Sequence, residues 1–246
     1  WVVPGEVPVA ASGERLSLMR EAQRAGKMVA ILNSAPLTEP GTGAFLATIL
    51  DRDDEAAIAA QILAARPDIM LGGGEMFFLP RGVKGRHGEG VRTDGRNLVK
   101  EAQRAGYTVV FTREELLALP RGTTRVLGLF AHEATFNEAD EATLAARGLP
   151  PFQPQAPRFD EMLGFILERV RDAPQGYLVV GNEEATDNLS GENNAPAVIE
   201  AAAGADRAIA LALDEARRNP HLTVVVASDS DNGGMNATSD DLDDPE

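Results

Sequence analysis

The stretch Tyr177-Leu-Val-Val-Gly-Asn-Glu-Glu-Ala-Thr-Asp187-Asn188 carries a short apolar run straight into a loop of acids and amides. Continuous apolar character without alternation reads as a strand buried on both faces, which is the pattern of a parallel sheet covered by helices. The pattern returns near the end of the chain. There a strand expected over residues 222–227 leads into Ser228-Asp229-Ser-Asp231-Asn-Gly-Gly234. Carboxylates at the carboxyl ends of buried strands are where α/β proteins place their chemistry. Neither loop holds a histidine.

Outward from these loops, helix and strand alternate. Ser12 can cap a helix whose apolar positions Leu16, Leu18 and Met19 lead to Glu21-Ala-Gln-Arg-Ala-Gly26, where the glycine is placed to take the left-handed stop. A strand over 28–32 follows. The phrase repeats as Glu101-Ala-Gln-Arg-Ala-Gly106, after a helix that Asp94 could cap and before a strand over 107–111. Their flanks do not match, so this is one local solution used twice and not a repeat array. Further helices are expected over 53–65, 114–119, 138–147, 159–170 and 197–218, with strands over 68–71 and 125–130. The expected fold is a doubly wound, mostly parallel sheet with helices on both faces. The pattern runs through the Pro-rich Leu149-Pro-Pro-Phe-Gln-Pro-Gln-Ala-Pro157, the best linker candidate, so residues 1–246 read as a single domain with an acidic tail over 237–246.

Composition limits the partners. Lys plus Arg total 23 against 38 Asp plus Glu, giving a net charge of −15, which disfavours nucleic acid and anionic membrane and favours cations. The chain has no cysteine, which excludes disulfides, thiolate catalysis and cysteine-ligated metals. No apolar run is long enough to span a bilayer, and the first residues lack the blocks of a signal peptide.

Other candidate motifs carry less. Gly72-Gly-Gly74-Glu75 follows a strand but lacks the Lys-Ser/Thr of a P-loop and reads as a structural turn. His87, His132 and His221 are scattered, and neither Ser12 nor Ser34 sits in a nucleophile elbow; His132 is the most site-like of the three and reads as a satisfied loop histidine. The acidic loops fit either a metal site or a solvated surface. Glu183, Glu184 and Asp187 just beyond one strand offer hard oxygen ligands, and Asp229 and Asp231 alternate so that an extended chain points both the same way. The second loop partly matches a calcium-binding loop, but it follows a strand and lacks the glutamate at its twelfth position.

In order along the chain, Val29-Ala-Ile-Leu-Asn33, Glu39-Pro-Gly-Thr42-Gly-Ala-Phe45, Asp68-Ile-Met-Leu-Gly-Gly-Gly-Glu75, Asp94-Gly-Arg-Asn-Leu98, Gly106-Tyr107, Val126-Leu-Gly-Leu-Phe-Ala131, Asp160-Glu-Met162, Tyr177-Leu-Val-Val180 and Val224-Val-Val-Ala-Ser-Asp229 resemble the central part of alkaline phosphatases, over roughly residues 12–236. The resemblance implies a phosphomonoesterase in which two zinc ions, often with magnesium, flank a serine nucleophile; calcium is a further candidate for the acidic loops. It places aspartate ligands at Asp187 and Asp229 and magnesium-shell residues at Thr42 or Glu39. It also implies a phosphate monoester substrate, divalent cations as partners, a homodimer as a candidate assembly and a periplasmic or extracellular location. The chain departs from the family at Asn182, where a magnesium-binding glutamate is expected and Glu183 or Glu184 can substitute. It departs again at Gly191 and Ser230, which stand where histidine ligands are frequent. The segments for the first aspartate, the Asp-Ser nucleophile and the final histidine are not matched. A relative that binds cations or serves as a structural module without turnover is therefore the alternative reading.

Overall fold

The structure, a computed structural model, describes Gly13 and residues 16–228. Helix α1 (Leu18–Arg24) is capped by Ser17, whose hydroxyl accepts from the Arg20 N–H; Ser12, the expected cap, lies outside the described residues. After α1 the chain closes on Gly26 at φ 75°, with the Lys27 N–H reaching back to the Ala22 carbonyl. That six-to-one bond is the Schellman stop anticipated from the repeated phrase. The second copy repeats it. Helix α4 (Leu98–Arg104) ends before Gly106 at φ 89°, with the Tyr107 N–H on the Ala102 carbonyl. Its cap, however, is Asn97 and not Asp94, because the Asp94 carboxylate is spent on the buried Arg92 guanidinium.

Strand β1 (Met28–Pro36) runs four residues further than expected and leads into the short helix α2 (Pro40–Gly43). Helix α3 (Glu55–Ala65), strand β2 (Ile69–Gly73), strand β3 (Thr108–Val110), helix α5 (Arg113–Leu117) and strand β4 (Val126–Leu129) follow. Helices α6 (Glu141–Arg147) and α7 (Phe159–Val170), strand β5 (Tyr177–Asn182), and helices α8 (Ala185–Gly191) and α9 (Ala195–Arg218) complete the order. A single 3-10 turn, Glu75–Phe78, follows the triple glycine, where no helix was anticipated.

The five strands form one parallel sheet in the order β3-β4-β2-β1-β5, as the continuous apolar runs imply. Side chains alternate across it. Val29, Ile31, Met70 and Leu127 pack with α1, α3 and α4, while Ala30, Leu32, Ile69, Leu71 and Val126 pack with α5 and α7 on the other face. Helix α9 lies on α7 and α8 through the small residues Ala197, Ala201, Gly204 and Ala208. The Pro-rich stretch is not a free linker. Gln153 donates its N–H to the Thr135 carbonyl, and Phe152 meets Phe136 edge to face at 5.0 Å.

One expected strand is absent from the sheet. Residues 222–227 are irregular, and Val225 and Val226 are 82% and 63% exposed. Strand propensity is satisfied only when a neighbouring strand completes the ladder, and among the described residues none lies beside this segment.

Candidate metal centre

From β1 the chain crosses to β2 on one side, whereas β5 adds on the other, so the strand order reverses at the β1–β5 pair. Crevices at such switch points, beyond the strand carboxyl ends, are where open α/β sheets bind ligands. Asn33 and Asn182 face each other in register at this end, and Glu39 follows β1 while Glu183 and Glu184 follow β5. The loop after β4 contributes Glu133 and Glu138, and the first turn of α3 contributes Glu55.

The chain is held tightly here by its own polar groups. The Asn33 carboxamide accepts from the Ala35 N–H at 2.9 Å and donates to the Thr42 hydroxyl at 3.1 Å, which in turn donates to the Leu37 carbonyl at 3.0 Å. Thr42 is fully buried, and its hydroxyl serves this turn. The turn sets Gly41 directly against the Asn182 side chain, so closely that a Cβ at position 41 would overlap the carboxamide. Asn182 donates to a Glu184 carboxylate oxygen. The backbone of α2 and the β5–α8 corner thus lock together and bring Glu39 within electrostatic range of Glu184.

Burial raises three of these acids, and neighbouring carboxylates add to it. Burial pushes Glu39 up to about 7, helped by Glu184 and Glu55 and opposed by Arg52, whose guanidinium is 3.8 Å away. Glu55 is raised by burial, against the lowering effect of the Thr38 hydroxyl at 2.6 Å. Glu138 is raised by burial too, with Glu133, Glu184 and Glu192 adding to it and the Asn188 amide at 2.8 Å opposing. A bowl of carboxylates that disfavour one another's charge is an environment that a hard cation relieves. Among the described residues no three histidine or acidic side chains already converge as a ligand set, so this is a ring of oxygen donors and not a finished coordination shell.

The two adjacent glutamates diverge. Glu184 joins the bowl, while Glu183 turns inward: its Oε1 is sealed from solvent without a hydrogen-bond partner, although the residue as a whole keeps partial exposure. Burial holds its carboxyl up to about 8, against the lowering effects of the Ser34 hydroxyl and the Ala185 N–H. Asp187 stands in the first turn of α8, so the segment read as a loop is helical from Ala185 onward. The reason is tertiary, since Ala185 and Leu189 bury against Ala197 and Ala201 of α9. Asp229 and Asp231 lie outside the described residues.

The remaining motifs are structural. Glu75 is buried and accepts from the Arg86 and His87 N–H groups at 2.9 and 2.6 Å. His87 places Nε2 3.0 Å from the carbonyls of Phe111 and Leu129, and His132 places its Nε2 3.0 Å from the Glu89 carbonyl. Sequence reading missed Glu138, Glu133 and Glu55. The first two follow a strand carboxyl end, a signal that pointed to them, whereas Glu55 looks like any acid in a first helical turn.

A sequence model of the alkaline phosphatase family matches residues 6–241. The chain is 31% identical to streptomycin-6-phosphate phosphatase of Streptomyces griseus, over 71% of this chain and 41% of that protein. It is 28% identical to an alkaline phosphatase of Gadus morhua, over 88% and 49%. Among solved structures, Thermus thermophilus alkaline phosphatase superposes with a TM-score of 0.71 at 29% identity, covering 89% of this chain and 42% of that one. A variant of the TAB5 alkaline phosphatase, described with Mg bound, superposes with a TM-score of 0.62 at 18% identity, covering 80% and 50%. The chain therefore spans less than half the length of these curated relatives.

Proposed function

This chain belongs to the alkaline phosphatase family, and from that membership we propose that it contributes a divalent-cation site to the hydrolysis of phosphate monoesters. The observation that carries the reading is the gathering of Glu39, Glu55, Glu138 and Glu184 at the strand-order switch point, where burial raises Glu39, Glu55 and Glu138. Glu39 and Glu184 are the first candidates to hold the cation, with Asp187 beside them and Glu138 on the rim. The donor set is all oxygen, which suits magnesium or calcium; zinc would need Asp187 with ligands such as Asp229 and Asp231. The Thr42 hydroxyl supports the Glu39 turn. A bound divalent ion would neutralise developing charge on phosphoryl oxygens. The protein's own part is to hold its carboxylates in place.

A periplasmic or extracellular location and a homodimer extend the same reading. Among the described residues no helix is long and apolar enough to cross a membrane. A cation-binding relative without turnover is the second reading, favoured by His87 and His132 directing their Nε2 atoms at backbone carbonyls.

The test pairs two measurements on one sample: hydrolysis of a chromogenic phosphate monoester with zinc and magnesium, and metal content by elemental analysis. Hydrolysis that is lost in Asp187→Ala together with bound metal supports the phosphatase reading. Metal binding without hydrolysis supports the second. Unchanged metal content in both Glu184→Gln and Asp187→Ala removes the site.

A further inference from the structure

The segment Leu222-Thr-Val-Val-Val-Ala227 has the composition of a strand and no ladder to join. Leu222 and Val224 are half-buried while Thr223 and Val225 are exposed, the alternation of an extended chain with one face against the protein. Val225, at 82%, is the most exposed large apolar residue among those described. The Leu222 N–H meets the Asn219 carbonyl at 3.0 Å, and among the described residues this segment makes no other backbone hydrogen bond. An unpaired row of N–H and C=O groups, with no charge or proline inside it, is a template for another strand. The ends of the segment differ in charge. Before it, Arg171, Arg217 and Arg218 outnumber the Asp214 and Glu215 carboxylates they contact, and His221 adjoins it; after it the sequence continues with Asp229 and Asp231. Two copies paired in parallel would set like ends together, whereas antiparallel pairing joins unlike ends.

We infer that residues 222–227 pair antiparallel with the same segment of a second copy of this chain, about a twofold axis at Val225. Such a contact is isologous, so each residue meets its counterpart twice. Thr223 then faces the partner's Ala227, Val224 faces the partner's Val226, and His221 comes opposite the partner's Asp229. The pairing gives a surface to the homodimer proposed above and stands whether or not a cation binds. Six residues a side bury less than the roughly 1,000 Å² of a stable interface, so a dissociation constant of about 10–100 µM is expected. The net charge of −15 on each copy also opposes tighter association.

The chain has no cysteine, which makes cross-linking specific. The experiment joins sedimentation of the wild type, from about 1 to 200 µM, with mild oxidation of Val225→Cys and Thr223→Cys made one at a time. The wild type is expected to pass from monomer to dimer, and Val225→Cys to form a disulfide-linked dimer. Thr223→Cys is expected not to, because its counterpart lies four residues along the partner strand, about 13 Å away and beyond the roughly 7 Å reach of a disulfide. Val225→Lys sets two ammonium groups on the axis and is expected to stay monomeric with the unfolding temperature of wild type. A wild type that remains monomeric, equal cross-linking at both positions, or a Val225→Lys protein that still dimerises would each overturn the inference. So would assemblies larger than a dimer, or a monomer whose residues 223–227 are protected from hydrogen exchange, which would place the segment on β5 of its own chain. Neither readout uses metal or a phosphate ester, so these failures leave the cation site standing.

Discussion

Glu183 makes the stability of the metal-free protein depend on pH in a way that one substitution isolates. Its carboxyl titrates at about 8 in the folded chain against 4.5 for an ordinary glutamate. Below pH 4.5 it is protonated in both states and contributes no slope. As pH rises from there, the unfolded chain loses the proton while the folded chain keeps it, so unfolding is increasingly favoured until the folded group also ionises near pH 8. The interval is about 3.5 pH units, and at about 1.4 kcal/mol per unit the full loss is about 5 kcal/mol. Glutamine has the same shape and no charge to acquire. Urea unfolding of chelator-treated wild type and Glu183→Gln, from pH 5 to pH 9, is therefore expected to give curves that diverge, with wild type losing about 1.4 kcal/mol more per pH unit up to about pH 8. Glu39 and Glu138 titrate in both proteins and cancel in the difference. Parallel curves, with a difference constant to within about 1 kcal/mol over that range, would refute a Glu183 carboxyl raised by burial.

Three further outcomes follow from packing and chemistry. Gly41→Ala forces a methyl group into the Asn182 carboxamide and is expected to cost about 1–3 kcal/mol in denaturant unfolding while weakening magnesium, because Asn182 donates to Glu184. Gly73→Ala is harsher: its Cβ would overlap the Glu133 carbonyl, a backbone atom with little freedom to yield, so a loss of soluble folded protein in circular dichroism is expected. Tyr107→Phe removes a hydroxyl bonded to the Pro67 carbonyl in the core and is expected to cost about 0.5–1.5 kcal/mol, with magnesium affinity unchanged.

Much of the fold was legible because it is written in short-range periodicity. Helix α7 begins and ends at the residues its apolar spacing marked, and both Glu-Ala-Gln-Arg-Ala-Gly phrases close as their glycines require. Caps were less legible. Asp94 and Asn97 are both good helix-cap residues, and the choice between them was made by Arg92, which takes Asp94. The strand over 222–227 was misread because apolar β-branched residues indicate willingness to pair and say nothing of whether a partner is beside them.

The carboxylates show the same division. Acids just past a buried strand are visible in sequence, and so Glu184 and Asp187 could be named from it, whereas Glu39 was named through the family resemblance. That Glu183 and Glu184 part ways, that the Thr42 hydroxyl serves the turn, and that Glu55 and Glu138 join the bowl depend on contacts between segments tens to more than a hundred residues apart. Periodicity of two or 3.6 residues sets which face an amino acid presents, and it is determined locally. Which faces meet is set by the crossovers that bring β1, β4 and β5 to one end of the sheet, and only the folded chain decides it.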